Sequence, residues 1–170
     1  MRRTWVVVLA ALLCACAGTT AGPQAAAPAW DDAAAQEARL EVEGAMNAFA
    51  AMDLEGFTSR LSEDAVAYEF DLENKPMRLG SRDEVAQWFG GILAELKEMG
   101  ATVTLDVHST DCHATAGLAY CTVEFDLNVA LADGGALSQP TRNTIVLREG
   151  DDGWKWMHWH SSPAELPEAP

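Results

Sequence analysis

The spacing of apolar positions predicts two helices at the start of the folded part of the chain. Asp31 or Asp32 can cap a first helix, in which apolar residues recur at steps of three and four and form one buried stripe. The members of this stripe are Ala38, Val42, Ala45, Met46 and Phe49. Asp53 is a second N-cap, for a short helix carrying Leu54, Phe57 and Leu61.

A strand from about Ala65 to Phe70, followed by a polar loop containing Pro76 and Gly80, precedes the clearest helix signal. Ser81 and Glu84 have the spacing of a capping box, and Gly100 stops the helix. The apolar stripe between them consists of Val85, Trp88, Phe89, Ile92, Leu93 and Leu96. A third amphipathic helix is therefore expected before Gly100.

Beyond Gly100 the period changes from helical to alternating. Apolar and polar residues alternate from Val103 to His108 and again from Ala119 to Val129. Two further strands are predicted near Arg142 to Arg148 and from Trp154 to Ser161. Three helices, one early strand and four antiparallel strands indicate the α+β class, with the helices packed as a layer on the sheet.

The closing strand is rich in tryptophan, and strict alternation sorts its side chains into two sets. One predicted face carries Trp154, Trp156, His158 and His160, and the other carries Lys155, Met157, Trp159 and Ser161. Such a strand can form the wall of a cavity.

The N-terminal residues predict a bacterial secretory signal, because Arg2 and Arg3 precede an apolar run that is too short to span a bilayer. The segment Leu13-Cys14-Ala15-Cys16 resembles the lipobox of bacterial lipoproteins, which makes Cys16 the lipid-bearing residue; the alternative is an ordinary signal peptide cut near Ala17. Lipoprotein sorting rules then imply an outer-membrane anchor, with the domain facing the periplasm.

These signals divide the chain into three parts. Residues 1–15 are the expected signal peptide, and residues 16–29 are the lipidated cysteine and a flexible tether of small, uncharged residues. Residues 30–165 have the length of one domain.

Charge and metal-ligand patterns exclude several classes of function. With 26 acidic against 11 basic residues and a net charge of −15, the chain lacks the basic surface that nucleic-acid binding needs. His158 and His160 are two possible metal ligands, but no third ligand has suitable spacing, and histidines bonded within a sheet are the simpler interpretation. We therefore expect no metal and no cofactor, and contact with the membrane only through the lipid anchor.

Cysteine spacing predicts a disulfide within a hairpin. If the chain turns at Ala116 and Gly117, Cys112 lies opposite Cys121 at a non-hydrogen-bonded pair, where side chains are closest. An oxidising periplasm permits the bond, and two separately packed thiols are the alternative.

The order of these elements resembles the SnoaL-like and ketosteroid-isomerase-like branch of the NTF2-like superfamily. The segments that carry the resemblance are Asp53-Leu54-Glu55-Gly56, Ser62-Glu63-Asp64-Ala65, Gly80 before the third helix, and the closing Gly153-Trp154-Lys155-Trp156-Met157-His158-Trp159-His160-Ser161. The resemblance implies three N-terminal helices on a strongly curved, mostly antiparallel sheet, a cone that surrounds an apolar pocket. It implies no particular reaction, since the superfamily includes isomerases, dehydratases and ligand carriers.

Carried over residue by residue, the resemblance implies only part of the steroid-isomerase site. The position of the general base falls on Glu69, but the tyrosine position falls near Ala45, and the aspartate position falls near Asn143 or Thr144. On its strand, Glu69 belongs to the small and charged set, whereas Val66, Tyr68 and Phe70 are apolar, so alternation alone predicts that Glu69 points away from the core. If the pocket is polar at that depth, the order is reversed and Glu69 points inward.

Three functions follow as hypotheses. The first is noncatalytic binding of a small hydrophobic ligand, in a pocket lined by Phe49, Tyr68, Trp88, Phe89, Phe125 and Trp156. The second is an isomerase or dehydratase that uses Glu69 as acid or base, with His158 or Tyr120 as its partner. The third is a noncatalytic envelope module that forms a homodimer or binds a partner through the sheet.

Overall fold

The computed structural model describes residues 29–70 and 75–164. Three helices lie in the first part of the chain: α1 (Asp32–Ala50), α2 (Leu54–Thr58) and α3 (Arg82–Glu98). Six strands accompany them: β1 (Leu61–Phe70), β2 (Pro76–Leu79), β3 (Thr102–Thr115), β4 (Leu118–Ala130), β5 (Ala136–Gly150) and β6 (Gly153–Pro163).

Each helix begins at the cap that the sequence predicts. The Asp31 carboxylate accepts hydrogen bonds from the backbone N–H groups of Ala33 and Ala34, and the Asp53 carboxylate accepts one from Gly56. Ser81 accepts a hydrogen bond from the Glu84 backbone N–H. Gly100 follows α3 with a φ of +64°, the left-handed conformation that glycine adopts without strain.

The six strands form one mixed sheet in the order β2-β1-β6-β5-β4-β3. Only β1 and β6 run parallel; the other four neighbouring pairs are antiparallel. The α+β architecture of N-terminal helices packed on a curved, mostly antiparallel sheet is thus confirmed.

Strand β2 corrects the prediction of a polar loop around Pro76 and Gly80. Pro76 opens this short strand and pairs with Phe70, while Leu79 pairs with Ala67. Strand β2 lies at the edge of the sheet and has no neighbouring strand on its open side. The missing N–H group of Pro76 therefore costs no hydrogen bond on that side.

The predicted hairpin and its disulfide are present. Strands β3 and β4 turn at Gly117, which has a φ of +81°, and Cys112 lies directly opposite Cys121. The two sulfurs are bonded at 2.04 Å.

The helices cover one face of the sheet, called here the inner face, and the opposite side is called the outer face. The predicted α1 residues Ala38, Val42, Ala45 and Met46 are buried against the inner face. Inward side chains of β4 and β5, including Val123, Phe125, Ile145 and Leu147, complete the core. The core therefore lies between the helices and one side of the sheet.

The predicted signal peptide, the lipid-bearing Cys16 and nearly all of the tether lie outside the described residues. No helix within residues 29–70 and 75–164 combines the length and apolar character needed to cross a bilayer.

Candidate functional site

A bulge in β6 decides which of its side chains face the helices. Leu147 pairs with Trp156, but the next strand position, Val146, pairs with His158, so Met157 is an extra residue. An extra residue in one strand shifts the alternation by one position from that point onward.

The bulge brings the tryptophans of β6 to the same side. Trp154, Trp156 and Trp159 are all buried on the inner face, and Ser161 follows them there. The predicted sorting of β6 into two faces is therefore wrong beyond Met157: Trp159 and Ser161 point inward, whereas His158 and His160 point outward.

Glu69 lies next to these inward residues, on the neighbouring strand β1. Ala65 and Ala67 are fully buried on the inner face and Tyr68 is exposed, so Glu69 shares the inner face with the two alanines. Both the Trp159 indole nitrogen (2.5 Å) and the Ser161 hydroxyl (2.7 Å) donate hydrogen bonds to Glu69 Oε1.

The outward direction that alternation alone predicts for Glu69 is wrong, and the reversed order, with a polar inner face at this depth, is the observed one. Tyr68 instead lies 44% exposed on the outer face. Its ring packs edge-on against His158, at 5.7 Å between centroids, and against His160 at 6.5 Å. Two histidines thus give this tyrosine aromatic neighbours outside the core.

Burial raises the pKa of the Glu69 carboxyl above its ordinary value, because the charged form loses hydration. The hydrogen bonds from Trp159, Ser161 and the Phe70 backbone stabilise the carboxylate and lower the pKa in part. The loss of hydration is the larger effect, so Glu69 holds a proton at higher pH than an exposed glutamate does. A shifted carboxyl group of this kind is a common feature of acid–base sites.

Asn143 extends this polar group onto β5. It lies directly opposite Ser161 in the sheet register, and its Oδ1 is buried without a hydrogen-bond donor among the described residues. Of the two candidates for the family's aspartate position, Asn143 thus lies on the inner face, whereas Thr144 is exposed. Ala45, at the tyrosine position, is buried on α1 and has no polar side-chain atom.

Aromatic rings occupy the space between the helices and this part of the sheet. Phe57 of α2 lies at their centre, with its ring centroid 5.4 Å from that of Phe89 and 6.2 Å from that of Trp159. Phe49, Trp88 and Trp156 pack around them. Glu69 is therefore bonded to the edge of an aromatic cluster through Trp159.

Most of the predicted pocket residues meet in this region. Phe49, Trp88, Phe89 and Trp156 share the cluster, and Phe125 is buried in the same core. Tyr68 does not belong to it, because it lies on the outer face. The sequence pattern does not identify Phe57 or Trp159 as pocket residues: it predicts Phe57 only as an apolar position of α2, and it places Trp159 on the opposite face of β6.

Two open grooves, each of about 290 Å³, lie elsewhere on the molecule. One runs across the far ends of β3, β4 and β5 beside Leu137, and the other lies between α1 and the bulged part of β3 near His108. Glu69 lines neither groove.

The structure does not bring the predicted partners His158 and Tyr120 to Glu69. His158 lies on the outer face beside Tyr68, and Tyr120 stacks on His113 at 5.1 Å. Within the described ranges, no group of three histidine, cysteine or acidic side chains is arranged to hold a metal ion. Trp159, Ser161 and Asn143 are instead the polar residues nearest to Glu69 in the sheet register.

Comparison with solved structures agrees with this architecture. An NTF2-like protein of unknown function from Pseudomonas putida has a TM-score of 0.68 at 18% identity, covering 82% of this chain and 93% of that protein. A candidate dehydratase of the NTF2-like family from Streptomyces avermitilis has a TM-score of 0.69 at 18% identity, covering 80% and 100%. A ketosteroid isomerase-like protein from Erwinia carotovora has a TM-score of 0.58 at 15% identity, covering 78% and 97%.

At these identities the structural likeness shows the fold alone. No curated protein matches the sequence. The family model described as the SnoaL-like domain matches residues 42–165, which is most of the chain and includes every residue of the Glu69 site. The chain therefore belongs to the SnoaL-like domain family, on an NTF2-like fold.

Proposed function

We propose that this domain binds a small apolar carbonyl compound at the inner face and that Glu69 transfers a proton on it, as in an isomerase or dehydratase. The observation that carries the proposal is the position of Glu69, a carboxyl group turned toward the core and bonded to Trp159 and Ser161. Among the glutamates described, it is the one whose pKa is raised by burial.

The proposed chemistry uses both states of this carboxyl group, the charged carboxylate as a base and the protonated form as an acid. The carboxylate removes a proton from the carbon next to a carbonyl group, and the electron pair moves into the carbonyl to give an enolate. In an isomerisation, Glu69 returns the same proton to a different carbon. In a dehydration, the enolate instead expels a β-hydroxyl group, which takes up the proton that Glu69 removed and leaves as water.

Trp159 and Ser161 orient the base through their hydrogen bonds to Oε1. The side chain of Asn143 lies on the same face and carries N–H groups that can donate to the developing oxygen charge. An apolar substrate is favoured because the surrounding rings, including Phe57 and Phe89, offer little to a charged molecule.

The isomerisation of cyclohex-3-enone to its conjugated isomer tests this proposal, because the product absorbs in the ultraviolet. Glu69→Gln should reduce the rate by about 100-fold or more, the usual contribution of a general base. Glu63→Gln is the matched control, since Glu63 is an exposed glutamate on the same strand, and it should leave the rate unchanged. Equal rates for the wild-type protein and Glu69→Gln would show that Glu69 is not the base.

The aromatic cluster also supports a second candidate, binding of an apolar molecule without reaction. Six rings from three helices and β6 pack together on the inner face, and Trp159 joins this apolar cluster to Glu69. Native mass spectrometry of the purified protein tests it by revealing a copurified small molecule. A retained ligand together with an inactive wild-type protein would favour this candidate over the first.

The cellular location is proposed from the N-terminal sequence. Cys16 carries a lipid that anchors the domain to the outer membrane, facing the periplasm, and the small residues up to Ala29 act as the tether. Labelling cells with an alkyne-bearing fatty acid should mark the wild-type protein and leave Cys16→Ser unmarked. Labelling of Cys16→Ser to the wild-type level would contradict the assignment.

A further inference from the structure

Strand β3 forms the second edge of the sheet, and no strand of the described ranges pairs with its open side. In an antiparallel pair, the backbone groups of every second residue point away from the neighbouring strand. Ala114 identifies these residues, because its carbonyl group accepts the backbone N–H of Asp31 on the open side. Cys112 and Thr110 follow at steps of two along β3, so their N–H and C=O groups face the same open edge.

The bulge in β3 does not interrupt this orientation. Val107 and Ser109 oppose consecutive residues of β4, so His108 is the extra residue. The two residues of a bulge oppose one residue of the partner strand and count as one position in the alternation. Val107 and Thr110 therefore lie on the same side, and both present their backbone groups to the open edge. Beyond the ladder with β4, no backbone hydrogen bond within residues 29–70 and 75–164 reaches either of them.

Helix α1 runs beside this edge and forms the second wall of a groove of about 290 Å³. One face of the helix supplies this wall, and residues 107–110 of β3 supply the other; the helical residues are Arg39, Glu43, Met46 and Asn47. Val107, which is 47% exposed, and Met46 offer apolar surface to a side chain that enters the groove. A groove between a helix and an open strand edge suits an extended peptide that adds to the sheet as a further strand.

Two carboxylates flank the groove along β3. Asp106 and Asp111 directly precede and follow residues 107–110, and both are exposed. Because side chains alternate between the two faces, these carboxylates lie on the outer face when Val107 and Thr110 face the groove. In a chain with a net charge of −15, this edge attracts basic segments and repels acidic ones.

We propose that the β3 edge binds an extended segment of a partner protein in which apolar and basic residues alternate. Side chains on the same face of neighbouring strands interact directly. The apolar residues of the added strand lie next to Val107 and Thr110 in the groove, and its basic residues lie next to Asp106 and Asp111. Five residues are sufficient, because residues 106–111 of β3 oppose only residues 122–126 of β4.

Fluorescence anisotropy tests the proposal with a labelled peptide of sequence Lys-Val-Thr-Val-Lys, blocked at both ends and titrated with the full chain in a nonionic detergent. The dissociation constant should be about 100 µM or lower, as for a small, transient interface. The same peptide with N-methyl groups on both valines lacks the N–H groups that pair with the open edge. It should bind at least tenfold more weakly, although its charge is unchanged.

Variants of the chain separate local attraction from the effect of net charge. Asp106→Asn/Asp111→Asn should weaken binding at least fivefold. The matched control, Asp83→Asn/Glu95→Gln, removes the same charge from exposed positions of α3, which packs against β1 and β2. This control should leave the dissociation constant unchanged.

Val107→Pro removes an N–H group that faces the open edge and costs no bond in the ladder. It should also weaken binding at least tenfold, while circular dichroism stays at the wild-type signal. The proposal would be overturned if the peptide failed to bind at about 200 µM chain, or if the N-methylated peptide bound equally well. A change in the sedimentation of the protein alone on Val107→Pro would also overturn it, because the edge would then hold a second copy of the chain.

Discussion

The indole N–H of Trp159 donates to Oε1 of Glu69, so the last strand of the sheet holds a carboxyl group on the first. These two residues are 90 positions apart in the sequence and are joined through the parallel pairing of β1 and β6. The state of Glu69 therefore depends on the packing of the C-terminal strand.

Glu69→Gln should change the pH dependence of stability. Because burial raises the pKa of Glu69 when the chain is folded, the folded protein retains this proton more strongly than the unfolded chain does. The stability that neutral Glu69 contributes is complete below the ordinary glutamate value of 4.5 and is lost as the pH rises through the higher, folded value.

Glutamine is neutral at every pH and its oxygen can still accept the hydrogen bonds from Trp159 and Ser161. Denaturant unfolding across this pH range should therefore show Glu69→Gln gaining stability over the wild-type protein as the pH rises above 4.5. A difference in free energy of unfolding that is constant with pH would contradict the buried position of this carboxyl group.

Trp159→Phe should destabilise the protein more at neutral pH than at acid pH. The substitution removes the N–H donor to Glu69, and a hydrogen bond to a charged group contributes about 1.5–3 kcal/mol. Trp154→Phe is the matched control, because the buried Trp154 indole nitrogen has no acceptor among the described residues. Both variants lose ring volume, but only Trp159→Phe should show the pH-dependent loss in denaturant unfolding.

Substitution of two helical glycines should have different effects. A methyl group at Gly91 meets no atom within 4 Å, so Gly91→Ala should stabilise α3 by about 0.5–1 kcal/mol. A methyl group at Gly44 would lie 2.7 Å from the guanidinium of Arg60, which pairs with Glu41 at 2.7 Å. Gly44→Ala should therefore bring no gain in thermal unfolding, and a gain equal to that of Gly91→Ala would contradict the close approach of Arg60.

Removal of the disulfide should lower stability without changing the fold. Cys112 and Cys121 are nine residues apart, and closing such a loop contributes roughly 2.5–3 kcal/mol on the chain-entropy model. The double variant Cys112→Ala/Cys121→Ala should lose about this amount in chemical denaturation. A reducing agent should produce a comparable loss in the wild-type protein and none in the variant; equal stability of the reduced and oxidised wild-type protein would contradict the prediction.

Local sequence rules were sufficient for the helices and for the hairpin. Caps at Asp31, Asp53 and Ser81 act through bonds to residues two or three positions away, so their consequences are visible in a short stretch of sequence. The register of Cys112 and Cys121 follows in the same way from a tight turn at Gly117.

Local sequence rules were not sufficient to predict the candidate site. Alternation fixes the two sides of a strand only while every residue is paired, and the bulge at Met157 carries no distinctive residue type. Glu69 points inward toward hydrogen-bond donors on β6, which is distant in sequence. Tyr68 points outward, where it packs against two histidines that also belong to β6. The Glu69 position itself came from the resemblance to a family, whereas its environment required the structure.

The single unpaired residue at Met157 also restricts how this strand can change in length. Deleting Met157 would leave Trp156 opposite Leu147 and His158 opposite Val146, so strict alternation would return with Trp159 and Ser161 still facing the helices. The loss of this one residue would thus preserve the orientation of the terminal half of the strand, whereas the loss of Met157 together with His158 would reverse it.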